Sequence, residues 1–164
     1  MIARYQALAQ RIKQEIEELE VALSTIQSHW ERAGHSEVDK RAYLNSVALN
    51  LHGFYSGLER VFHLIASEFD GGSLGGEGWH TELLRQMTLD LPGTRPPILE
   101  AETADHLDEY RKFRHLVRHV YTTAFDPDRI DALVSVLPKV WSEVRRDLTT
   151  FTAFLEDLSK ADES

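Results

Sequence analysis

The chain has 164 residues, 42% of them hydrophobic and 27% charged, with a formal net charge of −9 and no cysteine. That is enough to bury a real core in one ordinary domain, and too mixed for a disordered tail or a collagen-like repeat. Without cysteine there is no disulfide framework, thiolate nucleophile or thiolate-held zinc, and the acid excess argues against indiscriminate coating of nucleic acid, which depends on many Lys and Arg contacts to phosphate. No apolar run approaches the twenty or so residues that a membrane span needs. The N-terminal MIARYQALAQRIKQ is amphipathic and lacks the continuous apolar stretch of a secretory signal. The expected home is the reducing cytoplasm, with no membrane partner.

In chain order, Ile2, Tyr5, Leu8, Ala9, Ile12, Ile16, Leu19, Leu23 and Ile26 recur at three- and four-residue spacing, uninterrupted by Pro or Gly until Gly34. They predict a first helix of about nine turns. Ser36-Glu37-Val38-Asp39 has the form of an N-cap with an acid three residues on. A second long helix should follow through Tyr43, Val47, Leu51, Phe54, Leu58, Val61, Phe62 and Ile65, with Gly53 and Gly57 permitting close approach of a neighbour.

Residues 70–78, DGGSLGGEG, read as a flexible loop; no Lys-Ser or Lys-Thr follows and no strand precedes, so neither glycine-rich phosphate motif is met. Trp79 to Leu89 is expected as a short helix and Leu91 to Pro97 as a stiff loop. A fourth helix runs from near Ile98 or Glu102 to Tyr121. Asp126-Pro127 then offers a cap with Pro at the first helical position. The last helix passes through Ile130, Leu133, Val134, Leu137, Trp141, Val144, Leu148, Phe151 and Leu155, with a kink expected at Pro138. No alternating strand pattern and no internal repeat is present. The expectation is an all-α fold, a bundle of four main helices plus one short helix, in a single domain over residues 1–164 with the last few residues disordered.

The chemistry concentrates in Glu109 to Tyr121, EYRKFRHLVRHVY. Four of the 18 Lys and Arg residues lie between Arg111 and His119. At about 100° per residue, Arg111, Lys112, Arg114, His115, Arg118 and His119 fall within an arc of about 160°. Phe113, Leu116, Val117 and Val120 fill the opposite side, which predicts one cationic face and one core face. A guanidinium holds phosphate oxygens by paired hydrogen bonds and steadies the added charge of a pentavalent transition state. An imidazole exchanges protons near neutrality. Together they suffice for metal-free RNA cleavage, since the substrate supplies its own 2′-hydroxyl nucleophile and no cofactor is needed. Arg114 and His119 are five residues apart, about 140° around a helix. They would flank a groove that an isologous dimer can turn into a shared cleft.

Arg114-His115-x3-His119-x-Tyr121, near the end of a late helix in an all-helical chain, resembles the signature of the HEPN superfamily of ribonucleases, and more closely of its HepT-like toxins. The resemblance covers nearly the whole chain in layout and these few positions in detail. It implies the toxin of a type VII-like toxin–antitoxin system, a metal-independent endoribonuclease with Arg114 and His119 catalytic. His115, Arg118 and Arg111 would support the site or bind RNA. It further implies a homodimer with both motifs lining a cleft, a higher hetero-oligomer of that dimer with a cognate nucleotidyltransferase antitoxin, and silencing by that antitoxin through transfer of AMP to Tyr121. Phosphate charge and an adenosine beside a cationic groove would block RNA. A longer first helix, a longer glycine-rich loop and Arg118 in place of a small or apolar residue depart from the compact members.

The remaining histidines form the i,i+4 pairs Glu31 with His35, Glu59 with His63 and Glu102 with His106, expected as surface or capping interactions. The Glu-x-x-His spacing of a di-iron bundle is absent, so no metal site is expected. The rival reading is a non-catalytic helical module that binds a nucleotidyltransferase.

Overall fold

In the computed structural model of the chain, the structure describes residues 2–72, 75–119 and 125–162, and only the backbone of residues 2, 118 and 119. Five helices follow in order: α1 (Ile2–His35), α2 (Lys40–Phe69), α3 (Trp79–Gln86), α4 (Ala101–His119) and α5 (Pro127–Ala161). Among the described residues there is no strand, only an isolated bridge between Leu91 and Arg95. The all-α bundle expected from the periodicity is the fold observed. No helix is long and apolar enough to cross a membrane among the described residues.

α2 is the hub, because it packs against each of the other four helices. Its stripe of Val47, Leu51, Phe54, Leu58, Val61, Phe62 and Ile65 is buried, as its spacing predicts. Burying such side chains stabilises the fold by about 1.5–3 kcal/mol each. The predicted stripes of α1 and α5 are likewise inside, from Leu8 through Ile26 and from Ile130 through Leu155. Phe54 meets Tyr110 of α4 and Trp141 of α5 edge-on, at centroid distances of 5.7 and 6.0 Å. The Tyr110 hydroxyl donates to the Leu133 carbonyl at 2.6 Å. These contacts fix α4 against both α2 and α5.

The element ends show where local signals were sufficient. Asp126 caps α5 by accepting from the Asp128 amide at 3.0 Å, with Pro127 at the first position. Ser36 accepts from the Asp39 amide at 3.2 Å, but this closes a turn, and α2 begins only at Lys40. α5 continues through Pro138 to Ala161; residues 163–164, where disorder was expected, lie outside the described residues. α3 stops at Gln86, three residues before the predicted end. There the Arg95 guanidinium takes the Gln86 carbonyl at 3.2 Å, and the Thr88 hydroxyl donates to Arg85.

Arg95 explains the stiffness of the 87–100 segment. Its guanidinium grips Asp70 bidentately, Nε to Oδ1 at 2.7 Å and Nη2 to Oδ2 at 2.6 Å, and also binds the carbonyls of Leu89 and Pro96. Both side chains are almost fully buried. The loop is thereby tied to the end of α2.

Candidate functional site

The site is built where α4 leans on α2 and the start of α3. One turn of α2 presents Tyr55, Ser56 and Glu59, and α4 answers with Asp108, Arg111 and Arg114. Arg114 Nε donates to Ser56 Oγ at 2.9 Å and lies 3.3 Å from Glu59 Oε1. The other carboxylate oxygen, Glu59 Oε2, is 2.6 Å from His80 Nδ1 in the first turn of α3. Glu59 is only 4% exposed, so a buried carboxylate holds a guanidinium on one oxygen and an imidazole on the other. Both contacts of Arg114 use Nε; its two Nη groups make no hydrogen bond to another described residue.

This corrects the division of α4 into a cationic face and a core face. The buried stripe runs through Ala104, Leu107, Tyr110 and Phe113, while Leu116, expected inside, is 44% exposed. Arg114 is turned toward α2, with a side chain 15% exposed. The cause is tertiary: α2 supplies a carboxylate and a hydroxyl at that level, which makes burying a guanidinium tolerable.

Arg111 and Lys112 are largely neutralised within α4. Arg111 Nε binds Asp108 Oδ1 at 2.7 Å, and Lys112 lies 3.4 Å from Asp108 and 3.3 Å from Glu109. Burial raises the Asp108 carboxyl, but hydrogen bonds and charge from Arg111 and Lys112 outweigh it and hold the group below its ordinary value. The Tyr55 hydroxyl is buried with no hydrogen-bond partner. Burial, reinforced by Glu59, pushes that phenol far above its usual range against the opposing pull of Arg111 and Arg114. It therefore stays neutral near neutral pH.

Of the residues named from sequence, Arg114 and Arg111 meet at this junction, and His115 is exposed on α4. The helix continues through Arg118 and His119, whose side chains lie outside the described residues, as does Tyr121. Sequence reasoning missed Ser56, Glu59, Tyr55 and His80 as a group. A signal was present, since Glu59 falls four residues after Tyr55 and three before Phe62, inside an otherwise apolar stripe, and a carboxylate there asks for a partner.

The i,i+4 pairings are also redistributed. Glu59 serves His80 and Arg114, while His63 packs at a tilt against Trp79 with centroids 4.8 Å apart. His106 Nδ1 lies 2.7 Å from Glu143 Oε2 of α5. Glu102, His106 and Glu143 bring one ligand atom each within 4.8 Å of one another, a partly exposed set in which the imidazole already has a carboxylate partner.

The family model described as HepT-like protein matches residues 46–155. No curated protein and no solved structure matches the chain. The matched span runs from early α2 to late α5 and contains Ser56, Glu59, His80, Arg114 and His119. With that span and an all-helical bundle that carries the Arg-x4-His stretch on α4, the chain belongs to the HepT-like proteins of the HEPN superfamily.

Proposed function

We propose that this chain is the toxin of a toxin–antitoxin pair, a metal-independent endoribonuclease that works in the cytoplasm as a homodimer. The observation that carries the reading is the clamp on Arg114. A buried carboxylate and a hydroxyl of α2 fix Nε, and among the described residues nothing takes the two Nη groups, which are the atoms offered to a ligand. A guanidinium held from behind loses little freedom when it meets a phosphodiester.

In this mechanism the 2′-hydroxyl attacks the adjacent phosphorus, the P–O5′ bond breaks, and the products are a 2′,3′-cyclic phosphate and a 5′-hydroxyl. Arg114 neutralises the non-bridging oxygens as charge builds on them. His119 moves a proton. His115 and Arg118 bind the RNA backbone, and Arg111 supports the site. AMP transferred to Tyr121, two residues beyond His119, by a nucleotidyltransferase antitoxin would place phosphate charge at the end of the same helix and silence it.

The test is incubation of the purified chain with RNA in EDTA. Cleavage is expected, with Arg114→Ala and His119→Ala each slower by about 100-fold or more, the range of single electrostatic or acid–base groups. Intact-mass analysis after co-expression with a neighbouring nucleotidyltransferase gene should show one added AMP on Tyr121. An unmodified tyrosine under silencing conditions would remove that mode of control.

A second reading, a non-catalytic partner of the nucleotidyltransferase, draws on the pairing of Arg111 and Lys112 with Asp108 and Glu109. Such pairs leave less free positive charge for RNA than the sequence suggests. No cleavage by the unmutated chain, together with a stable complex with the nucleotidyltransferase, would favour it.

A further inference from the structure

We infer that His80 is a second proton-transfer group of the site, held by Glu59 so that its Nε2 serves the phosphodiester gripped by Arg114. The inference rests on the ribonuclease reading. Transesterification of RNA needs two proton movements, one away from the attacking 2′-oxygen and one onto the departing 5′-oxygen. One imidazole beside the phosphate can begin only one of them, and the other falls to a second imidazole, either His119 of the partner subunit or a group of the same chain. Positions 114 and 119 are about 140° apart around α4, whereas His80 is joined to Arg114 through the two oxygens of a single carboxylate.

The local structure suits the role. Gly78, at φ 77° in the left-handed region, turns the chain directly into α3, and glycine enters that region without the steric cost of a Cβ. His80 thereby falls in the first turn of α3, facing Glu59. Its ring packs on Trp79, which in turn meets His63 at a tilt. With Nδ1–H committed to Glu59, the neutral ring keeps its lone pair on Nε2, and that nitrogen makes no hydrogen bond to a described residue. The anchor is buried and the heads are less so: side-chain exposure is 5% for Glu59, 15% for Arg114 and 23% for His80. The orphaned Tyr55 hydroxyl lies in the same polar layer. Among the described residues, the protein's own groups therefore do not exhaust the hydrogen bonding available there.

In the step itself, one imidazole, His80 or His119, accepts the 2′-OH proton as O2′ bonds to phosphorus. The other, protonated, gives its proton to O5′ as the P–O5′ bond breaks. Both imidazoles exchange protons with water afterwards, so the cycle closes without a further reactant.

The decisive experiment compares an RNA dinucleotide with its analogue carrying sulfur at the bridging 5′ position, whose thiolate departs without a proton. His80→Gln keeps a side-chain amide able to bond Glu59 and should keep the thermal midpoint near that of the unmutated chain. On the ordinary substrate His80→Gln and His119→Gln should each lose about 100-fold or more. On the sulfur analogue one of the two variants should recover, the one that has lost the acid. Full activity of His80→Gln on the ordinary substrate, or recovery of both variants or neither, overturns the role. NMR of the unmutated, histidine-labelled chain keeps the answer independent of variant folding. A nucleoside 2′,3′-cyclic phosphate should shift the His80 Nε2 signal, and an unmoved signal at saturation overturns the inference. Failure of the unmutated chain to cut either substrate removes the ribonuclease reading itself, whereas cleavage with an indifferent His80 removes only this residue's part.

Discussion

Glu59 is one buried carboxylate shared by two cationic or potentially cationic groups, so its removal should be felt in stability as well as activity. Glu59→Gln leaves the largely buried Arg114 without its counter-charge. A loss of about 2–4 kcal/mol is expected, toward the lower part of the range for breaking a buried pair because Ser56 remains. Urea denaturation measures it, and an unchanged midpoint would show the pair to be incidental. Arg95 should be costlier still. Arg95→Ala leaves Asp70, at 1% side-chain exposure, without its counter-charge, though Gln86 Nε2 still donates to it, and it orphans the carbonyls of Gln86, Leu89 and Pro96. About 3–5 kcal/mol should be lost, read by the same titration. At this scale Arg114 was legible because its spacing to His119 and Tyr121 is local information. Glu59 and Arg95 were not, since Glu59 lies 21 residues from His80 and 55 from Arg114, Arg95 lies 25 from Asp70, and nothing in a one-dimensional pattern joins them.

Helix existence was legible wherever an apolar stripe repeated, because burial of that stripe against α2 is also what holds each helix in place. The ends were less so. α3 stops where Arg95 takes its last carbonyl, and the side chains of α4 distribute themselves according to what α2 offers, so Leu116 faces solvent and Arg114 does not. The two glycines of α2 divide in the same way. A Cβ on Gly57 would come within 2.7 Å of Glu15 Oε1 and 2.9 Å of Leu19 Cδ2, while one on Gly53 would meet nothing within 4 Å. Only Gly57 allows α1 its close approach. Gly53→Ala should therefore stabilise by about 0.5–1 kcal/mol through helix propensity alone. Gly57→Ala should lose about 1–2 kcal/mol, because Leu19 is buried and cannot move aside freely. Thermal or urea unfolding of the two variants decides it, and equal shifts would refute the packing account.

For the molecule as a whole, the proposed function requires a charge of −9 to coexist with binding of a polyanion. The ion pairs on α4 sharpen that demand, since Asp108 and Glu109 compensate Arg111 and Lys112, and the cations beyond them, Arg114 and Arg118, sit toward the end of the helix. Among the described residues, α4 of one protomer thus brings few unpaired positive charges to an RNA backbone. Two copies meeting at the ends of their α4 helices would double that number in one cleft, and would let an imidazole from one protomer serve a phosphate held by the other. If the cleft is shared in this way, cleavage rate must follow the dimer and not the chain. On dilution, activity per chain should stay level while light scattering reports a dimer, then fall in proportion to the dimer fraction once dissociation begins. Salt up to about 0.5 M should lower the rate more steeply than it lowers the dimer fraction, because screening acts on phosphate contacts directly. A monomeric fraction that cuts RNA as fast per chain as the concentrated protein would confine the whole site to one protomer, leaving Arg114, Glu59 and His80 to act with the His119 of their own α4.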